Sequence, residues 1–375
     1  MAPDHRPKMM IFLFFAIVTV ILGLVHLAIY KAVISIFVVT SPAAIVWLRS
    51  LLVVLAASFI AASVLTNYFD TSVTRIFYRA TAIWIGFVSL LFLASCMYGI
   101  IAGIAGLVSP SFLAQWIGMA LFAVALAAGI YGLIHAETIV VRHETVSIPG
   151  LPSAWQGARV VVVSDIHLGQ VHGREYAARV VALIQSLNPD AIFIPGDLFD
   201  GPKMDEIAAA APFKELHPRL GMYFSTGNHE EFGESGHFLR AIGDAGIRIL
   251  ADESVIVEGL QIVGVNDKDS IREDRYAQTL DSIVLDPDKP AILLKHQPTL
   301  LDLSEKKGFT LQLSGHTHRA QMWPWSLLTP LIFHGYDYGL KKYGAMDVLT
   351  SSGAGTWGPP MRLGTDSEIV VLTFR

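Results

Sequence analysis

Apolar residues dominate the first third of the chain and then give way to a mixed pattern. Four stretches, from about Met9 to Tyr30, Ala43 to Thr66, Phe77 to Ala105 and Phe112 to Ile134, are long and nearly free of charge. A helix needs roughly 20 apolar residues to cross a bilayer core, so each predicts a membrane span. Ser41-Pro42, the polar run Asn67 to Arg79, and Ser109-Pro110 separate them. A cleaved signal peptide is the alternative for the first stretch. Its apolar length exceeds the 7–15 residues usual for such a segment, and further spans follow. Burial as soluble core helices is the alternative for all four, and their length in succession weighs against it.

After His135 the period changes. Thr138 to Ile148 alternates apolar and polar residues and predicts a strand, and Arg159 to Val163 is a short apolar run of the buried-strand type. A helix with Ala177, Val180, Val181, Ile184 and Leu187 on one face follows, stopped by Asn188-Pro189-Asp190. Further buried strands are predicted at Ala191–Ile194, Gly221–Phe224, Gln261–Val265, Ala291–Leu294, Thr310–Leu313 and Ile369–Leu372. Strand-helix alternation early and strand-rich sequence late predict α/β layers around two packed sheets. The expected organisation is therefore a transmembrane bundle over residues 1–137 and an α/β domain over 138–375.

Charge refines this picture. Only 16% of residues are charged, against roughly 25% in soluble chains, and the net charge is −5. That gives no basic footprint for nucleic acid. The single cysteine, Cys96, excludes an internal disulfide. Arg6, Lys8, Arg75, Arg79 and Arg142 lie on one side of the spans, against Lys31 and Arg49 on the other. The bias places both ends in the cytoplasm. His26 and Arg49 are the ionisable groups within the spans. His26 reads as a packed residue and Arg49 as one near a helix end that snorkels, so the bundle reads as an anchor rather than a transport pathway.

Polar residues follow almost every buried strand: Ser164-Asp165-Ile166-His167, Gly196-Asp197-Leu198-Phe199-Asp200, Gly227-Asn228-His229-Glu230, Lys295-His296, and Ser314-Gly315-His316-Thr317-His318. Ligands of α/β sheets gather at the carboxyl ends of strands. On extended chain, residues i and i+2 point the same way, so Asp165 with His167, and His316 with His318, are each expected to share a site. Such a mixed set of imidazoles, carboxylates and an amide exceeds the needs of one ion. It suits two cations of the Zn, Fe, Mn or Mg type.

These pieces, DIH, GDLFD, GNHE, His296 and GHTH, resemble the calcineurin-like metallophosphoesterase superfamily in content and order, over roughly residues 138–375. The flanks SIPGLPSAWQGARVVVVSDIHLG and SSGAGTWGPPMRLG look like the bacterial branch with N-terminal membrane spans. The resemblance implies a four-layer sandwich of two mixed β-sheets flanked by helices. It implies two divalent ions, Mn, Fe or Zn. Asp165, His167 and His318 would hold one, Asn228, His296 and His316 the other, and Asp197 would bridge them. It implies that His229 protonates the leaving oxygen and that Asp200 orients His229 by a hydrogen bond. The expected activity is hydrolysis of a phosphodiester or phosphomonoester, on a lipid-linked or membrane-proximal substrate at a bacterial inner membrane. A non-catalytic scaffold and a nuclease are the competing readings.

Weaker signals remain. His172, Arg174 and Arg319 read either as phosphate contacts or as solvated loop residues. Trp323, Trp325 and Leu327 to Ile332 read as core, with a lip facing a membrane or a lipid tail as the alternative. Lys341-Lys342 reads as a solvated pair.

Overall fold

The computed structural model describes residues 6–108, 112–201, 204–231 and 236–375. Contacts divide the chain into two compact units, Met1–Leu133 with Gly358–Pro360, and Ile134–Trp357 with Met361–Arg375.

The first unit is built from four long helices: α1 (Arg6–Ile36), α2 (Pro42–Tyr68), α3 (Ser72–Val108) and α4 (Phe112–Ala136). All four carry a segment long and apolar enough to cross a membrane, with mean hydropathy 2.2 in each. The Ser41-Pro42 break holds, with Pro42 in the first turn of α2, where its missing N–H costs nothing. The Asn67–Arg79 break is shorter than expected. Helix α3 already starts at Ser72, so Arg75 and Arg79 lie within it, and Arg75 pairs back to Asp70 at 2.7 Å. Polar side chains on a helix end do not stop the helix. The expected break at Ser109-Pro110 falls outside the described residues. His26 is buried and both ring nitrogens are engaged: Nδ1 donates to the Leu22 carbonyl at 2.8 Å, and Trp84 Nε1 donates to Nε2 at 3.1 Å. It is a packed neutral histidine.

The second unit has two six-stranded sheets. The first contains β1 (Ile139–Val146), β2 (Arg159–Val162), β3 (Ala191–Pro195), β4 (Met222–Ser225) and β5 (Arg248–Ile249). The second contains β6 (Glu253–Val257), β7 (Leu260–Gly264), β8 (Ala291–Leu294), β9 (Leu311–Ser314), β10 (Gly339–Tyr343) and β11 (Met346–Thr350). The last strand, β12 (Ser367–Phe374), returns to the first sheet. The orders are β1-β12-β2-β3-β4-β5 and β10-β11-β9-β8-β7-β6. Strands β2 to β5 run parallel, as do β7, β8, β9 and β11. Antiparallel pairs β12·β2, β6·β7 and β10·β11 make both sheets mixed.

Side-chain alternation builds the layers. Val160 and Val162 of β2 face the second sheet and pack with Ile262, Ile292 and Leu313, while Val161 turns to the opposite face. There, helices α5 (Arg174–Ser186), α6 (Glu206–Ala210) and α7 (Gly236–Asp244) cover the first sheet. Tyr176, Ala177, Val180, Val181 and Ile184 are the buried face of α5. Val263, Leu293 and Val348 project from the outer face of the second sheet. They pack against Tyr276, Leu280 and Leu301 of the helices that follow. Those helices are α9 (Glu273–Ser282) and α10 (Leu301–Lys307); the short α8 (Asp267–Ser270) and α11 (Thr329–Ile332) lie in the connecting segments. The result is the expected helix–sheet–sheet–helix sandwich. Strands buried on both faces explain why the sequence there is continuously apolar.

Candidate metal centre

The loops that leave β2, β3, β4, β8 and β9 at their carboxyl ends carry the polar motifs, and the parallel register of each sheet brings those ends together. Three groups of potential ligands result: Asp165, His167 and His318; His167, Asp197 and His229; and Asp197, His296 and His316. Nε2 of His167 lies 2.9 Å from Nε2 of His318, and the latter lies 3.4 Å from Oδ1 of Asp165. Oδ2 of Asp197 is 3.1 Å from Nε2 of His296 and 3.8 Å from Nε2 of His167. Nδ1 of His316 is 2.9 Å from Oδ1 of Asn228 and 3.2 Å from Nε2 of His296. Asp197 is thus common to two groups, and all seven residues expected as metal ligands converge.

The route to this convergence differs from the expected one. Asp165, His167, Asp197, His316 and His318 all have positive φ, between 46° and 69°. The i, i+2 rule for extended chain does not apply to them. Asp165 and His167 meet through a left-handed turn, and His316 and His318 separate into different groups. Left-handed backbone at a residue with a Cβ costs on the order of 1–2 kcal/mol. Its concentration here marks a site whose surroundings over-determine the backbone. The glycines preceding two of the motifs serve close approach. A Cβ on Gly227 would sit 2.1 Å from Oδ1 of Asp197, and one on Gly315 would sit 2.1 Å from Oδ2 of Asp165.

Hydrogen bonds with main-chain groups fix the orientations of these side chains. The Asp165 carboxylate accepts from the His316 N–H, and Oδ1 of Asp197 accepts from the His229 N–H at 3.0 Å. Nδ1 of His296 donates to the Pro195 carbonyl at 2.9 Å, which turns Nε2 toward the site. Such a backbone acceptor is the usual means of setting the tautomer of a ligating histidine. Glu230, fully buried, accepts from the N–H groups of Asp197, Phe199 and Gly227 at 2.9–3.0 Å and so ties two site loops together. Burial and the charge of Asp197 push its carboxyl up to about 8, against the pull of those donors.

The electrostatics suit cations. Asp165 and Asp197 are buried, and among the described residues no Lys or Arg lies within ion-pair distance of either. Burial raises the pKa of Asp165. Burial opposes ionisation of Asp197 as well, but the charge and hydrogen bond of His296 hold its carboxyl well below the usual range. Burial and the charge of His296 push the His316 imidazole down to about 3, and burial with His167 pushes His318 down too. Imidazoles packed against one another at hydrogen-bond distance, with His316 and His318 held neutral, stand beside two buried carboxylates. Metal cations would give the carboxylates a counter-charge, and the N/O composition fits them.

The sequence profile of calcineurin-like phosphoesterases matches residues 158–320. An uncharacterized metallophosphoesterase of Aquifex aeolicus is 32% identical over 259 residues, which cover 67% of this chain and 98% of that protein. The chain belongs to the calcineurin-like phosphoesterase family. A transmembrane protein with metallophosphoesterase domain from Danio rerio is 30% identical over 262 residues, 66% of this chain and 60% of that one. An uncharacterized metallophosphoesterase of Campylobacter jejuni is 31% identical over 243 residues, 64% of each chain. This chain therefore spans about three-fifths of the length of these last two relatives.

Other expected residues fall differently around the family's motifs. The hydrogen bond expected between Asp200 and His229 runs from Nδ1 of His229 to the main-chain carbonyl of Asp200, at 2.9 Å, and not to its carboxylate. That carboxylate lies 3.4 Å from Nδ1 of His167 and 3.5 Å from Nδ1 of His229. His172 is not a solvated residue. It is buried, with Nε2 against Thr356 at 2.8 Å and its ring against Tyr176. Arg174 is exposed at the start of α5, and Arg319 packs over the Tyr338 ring. Sequence reasoning passed over Arg362. It is fully buried, and its guanidinium donates to the carbonyls of His318, Ser352, Gly353 and Gly355, binding the loop after β11 to the site. The only signal for it was an arginine in an otherwise small and apolar tail. Two aromatic rings also border the site. Phe333 meets His316 at a centroid distance of 6.1 Å, and Trp357 meets His229 at 5.9 Å.

Proposed function

We propose that the protein is a membrane-anchored phosphoesterase that uses two divalent ions. Residues 1–137 would form the anchor and 138–375 the catalytic domain. The observation that carries this reading is Asp197, whose Oδ2 lies within 3.8 Å of a nitrogen from each of two histidine groups. Asp165, His167 and His318 would hold one ion, Asn228, His296 and His316 the other, with Asp197 between them. The ions, Mn, Fe or Zn, supply Lewis-acid polarisation of the phosphoryl oxygens and lower the pKa of water.

The chain's own groups do the rest. The ligand loops hold their donors without reorganisation, because backbone N–H groups and Glu230 already fix them. His229 keeps its Nδ1 proton on the Asp200 carbonyl, so its Nε2 is the nitrogen that gains and gives a proton. As the imidazolium it would donate that proton to the departing alkoxide or phenoxide. Water supplies the oxygen that bonds to phosphorus, and the P–O bond to the leaving group breaks. His229 lies close enough to His167 and Asp197 to be a ligand as well. The engaged Nδ1 favours the proton-donor role.

The substrate class is a phosphomonoester or phosphodiester that is lipid-linked or membrane-proximal. The four membrane-capable helices support this, and a bacterial inner membrane with the catalytic domain in the cytoplasm is the location the charge bias supports. The full chain in detergent, loaded with Mn²⁺, is expected to hydrolyse bis(p-nitrophenyl) phosphate and to hold two metal equivalents by elemental analysis. Inactive protein with empty sites would remove the reading. Activity that survives His229→Ala and Asp197→Asn alike would place the chemistry elsewhere.

A further inference from the structure

The segment following the last metal motif is inverted. Between β9 and β10 the chain runs through α11, where the one polar residue is the buried one: Thr329 is 5% exposed and donates to Oδ2 of Asp337 at 2.8 Å. Leu327, Leu328, Leu331 and Ile332 point outward at 48–73% exposure, joined by Trp323 at 55%. These are the residues expected as core. A helix of a soluble domain buries its apolar face, and contiguous exposed apolar surface of this kind marks a binding site.

The segment is held rigidly and close to the metal centre. Thr317, between the two histidines of the last motif, donates to the Asp337 carbonyl at 2.7 Å. Phe333, directly after α11, stands edge-on to His316. On another border of the site, Trp357 is 56% exposed and stands edge-on to the proton donor His229. Gln321, two residues before the exposed Trp323, fixes the Trp357 backbone, accepting from its N–H at 2.6 Å and donating to its carbonyl at 2.9 Å. An apolar rim therefore starts at the reacting groups and runs outward over α11.

We propose that this rim is a subsite for the alkyl or acyl tail of an amphiphilic phosphoester. Phe333 and Trp357 take the first carbons, and Leu328, Leu331 and Ile332 take the remainder. The proposal rests on the phosphoesterase reading and narrows its substrate class. The tail itself is the occupant, because the rim is continuous with the metal centre, so a chain bonded to the reacting phosphorus reaches it.

The test is a series of p-nitrophenyl alkyl phosphates with two to eight carbons, used below their micellar concentrations on the full chain in nanodiscs. The expected result is a kcat/KM that rises about two- to fourfold per added methylene, since one buried methylene is worth about 0.8 kcal/mol. Leu331→Ser combined with Ile332→Ser is expected to flatten the rise beyond four carbons. A wild-type kcat/KM independent of chain length overturns the proposal, and so does a slope that the double variant leaves intact. A rate that depends on vesicle presentation but not on chain length would assign the rim to the leaflet surface and also overturn it. Calorimetric titration with ethyl, hexyl and octyl phosphate reads the same slope without turnover. Chain-length-dependent binding in a protein that releases no p-nitrophenolate would remove the enzymatic reading and leave the tail subsite standing.

Discussion

Nδ1 of His229 hydrogen-bonds the main-chain carbonyl of Asp200 at 2.9 Å, while the Asp200 carboxylate stands 3.4 Å from Nδ1 of His167. One residue thus orients the proposed proton donor through its backbone and faces a proposed metal ligand through its side chain. The carboxylate is also 3.5 Å from Nδ1 of His229, but the bond that holds that ring is the main-chain one, so mutation is expected to separate the two roles.

Asp200→Asn is expected to leave the dependence of rate on leaving-group pKa unchanged and to weaken metal retention on the order of 10- to 100-fold, the usual cost of losing a partner of a ligating histidine. His229→Ala is expected to do the converse. Metal content should hold, and kcat should fall by about 10²–10⁴ for alkoxide leaving groups, with a smaller loss for p-nitrophenolate, which needs no proton. Elemental analysis and a leaving-group series check both.

Asp197→Asn removes the charge shared between two ligand groups. Metal should be lost from both, and activity should fall by at least 10³-fold. Retention of one full equivalent would show that the groups load independently.

Gly227→Ala puts a methyl group 2.1 Å from Oδ1 of Asp197. Either the loop or the carboxylate must move. Activity is expected to drop by more than 10²-fold, since misplacement by about 1 Å costs that much. Overpacking should destabilise the fold by about 1–3 kcal/mol. Gly243→Ala, with open space around the site of its Cβ, is the control. Thermal melts and turnover separate the two effects.

Arg362→Met should take the guanidinium from four carbonyls, of which His318 and Gly353 keep the N–H groups of Gln321 and Glu368 while Ser352 and Gly355 lose their donor. Orphaned buried acceptors cost about 1–3 kcal/mol each when nothing replaces the bond. A clear fall in melting temperature and a rise in KM for metal are expected. An unchanged melt would mean that water takes over the guanidinium's bonds.

Asp190 offers a pH test away from the metal centre. Burial would raise its pKa, but the Arg159 N–H at 2.8 Å and the Arg219 guanidinium at 2.7 Å hold it below the ordinary value of 3.8. Its stabilisation is therefore fully present above pH of about 4 and is lost as pH falls through the depressed value. Asp190→Asn should lower the melting temperature at pH 7 and shrink that difference as the pH is taken below about 4.

Much of the architecture was legible in the chain. Runs such as Val160 to Val163 and Ile192 to Ile194 are apolar on every residue because sheet or helix covers both faces, and their polar followers announce the site. Strands β5, β6, β10 and β11 were not anticipated. Pairs such as Arg248-Ile249 are too short to show a period, and the exposed Lys341-Lys342 of β10 gives no apolar signal.

The order and spacing of the polar motifs, a local property, determined which side chains could meet at the carboxyl ends of the strands. It also determined that four helices would be apolar enough for a bilayer. Tertiary structure alone decided how those side chains meet, through left-handed backbone rather than extended chain. It also decided that His172 and Arg362 are buried while Leu331 and Ile332 are not. Burial depends on what a residue packs against, and those partners are brought in from distant parts of the chain: Thr356 for His172, the carbonyls of Ser352 to Gly355 for Arg362. No local pattern of hydrophobicity encodes them.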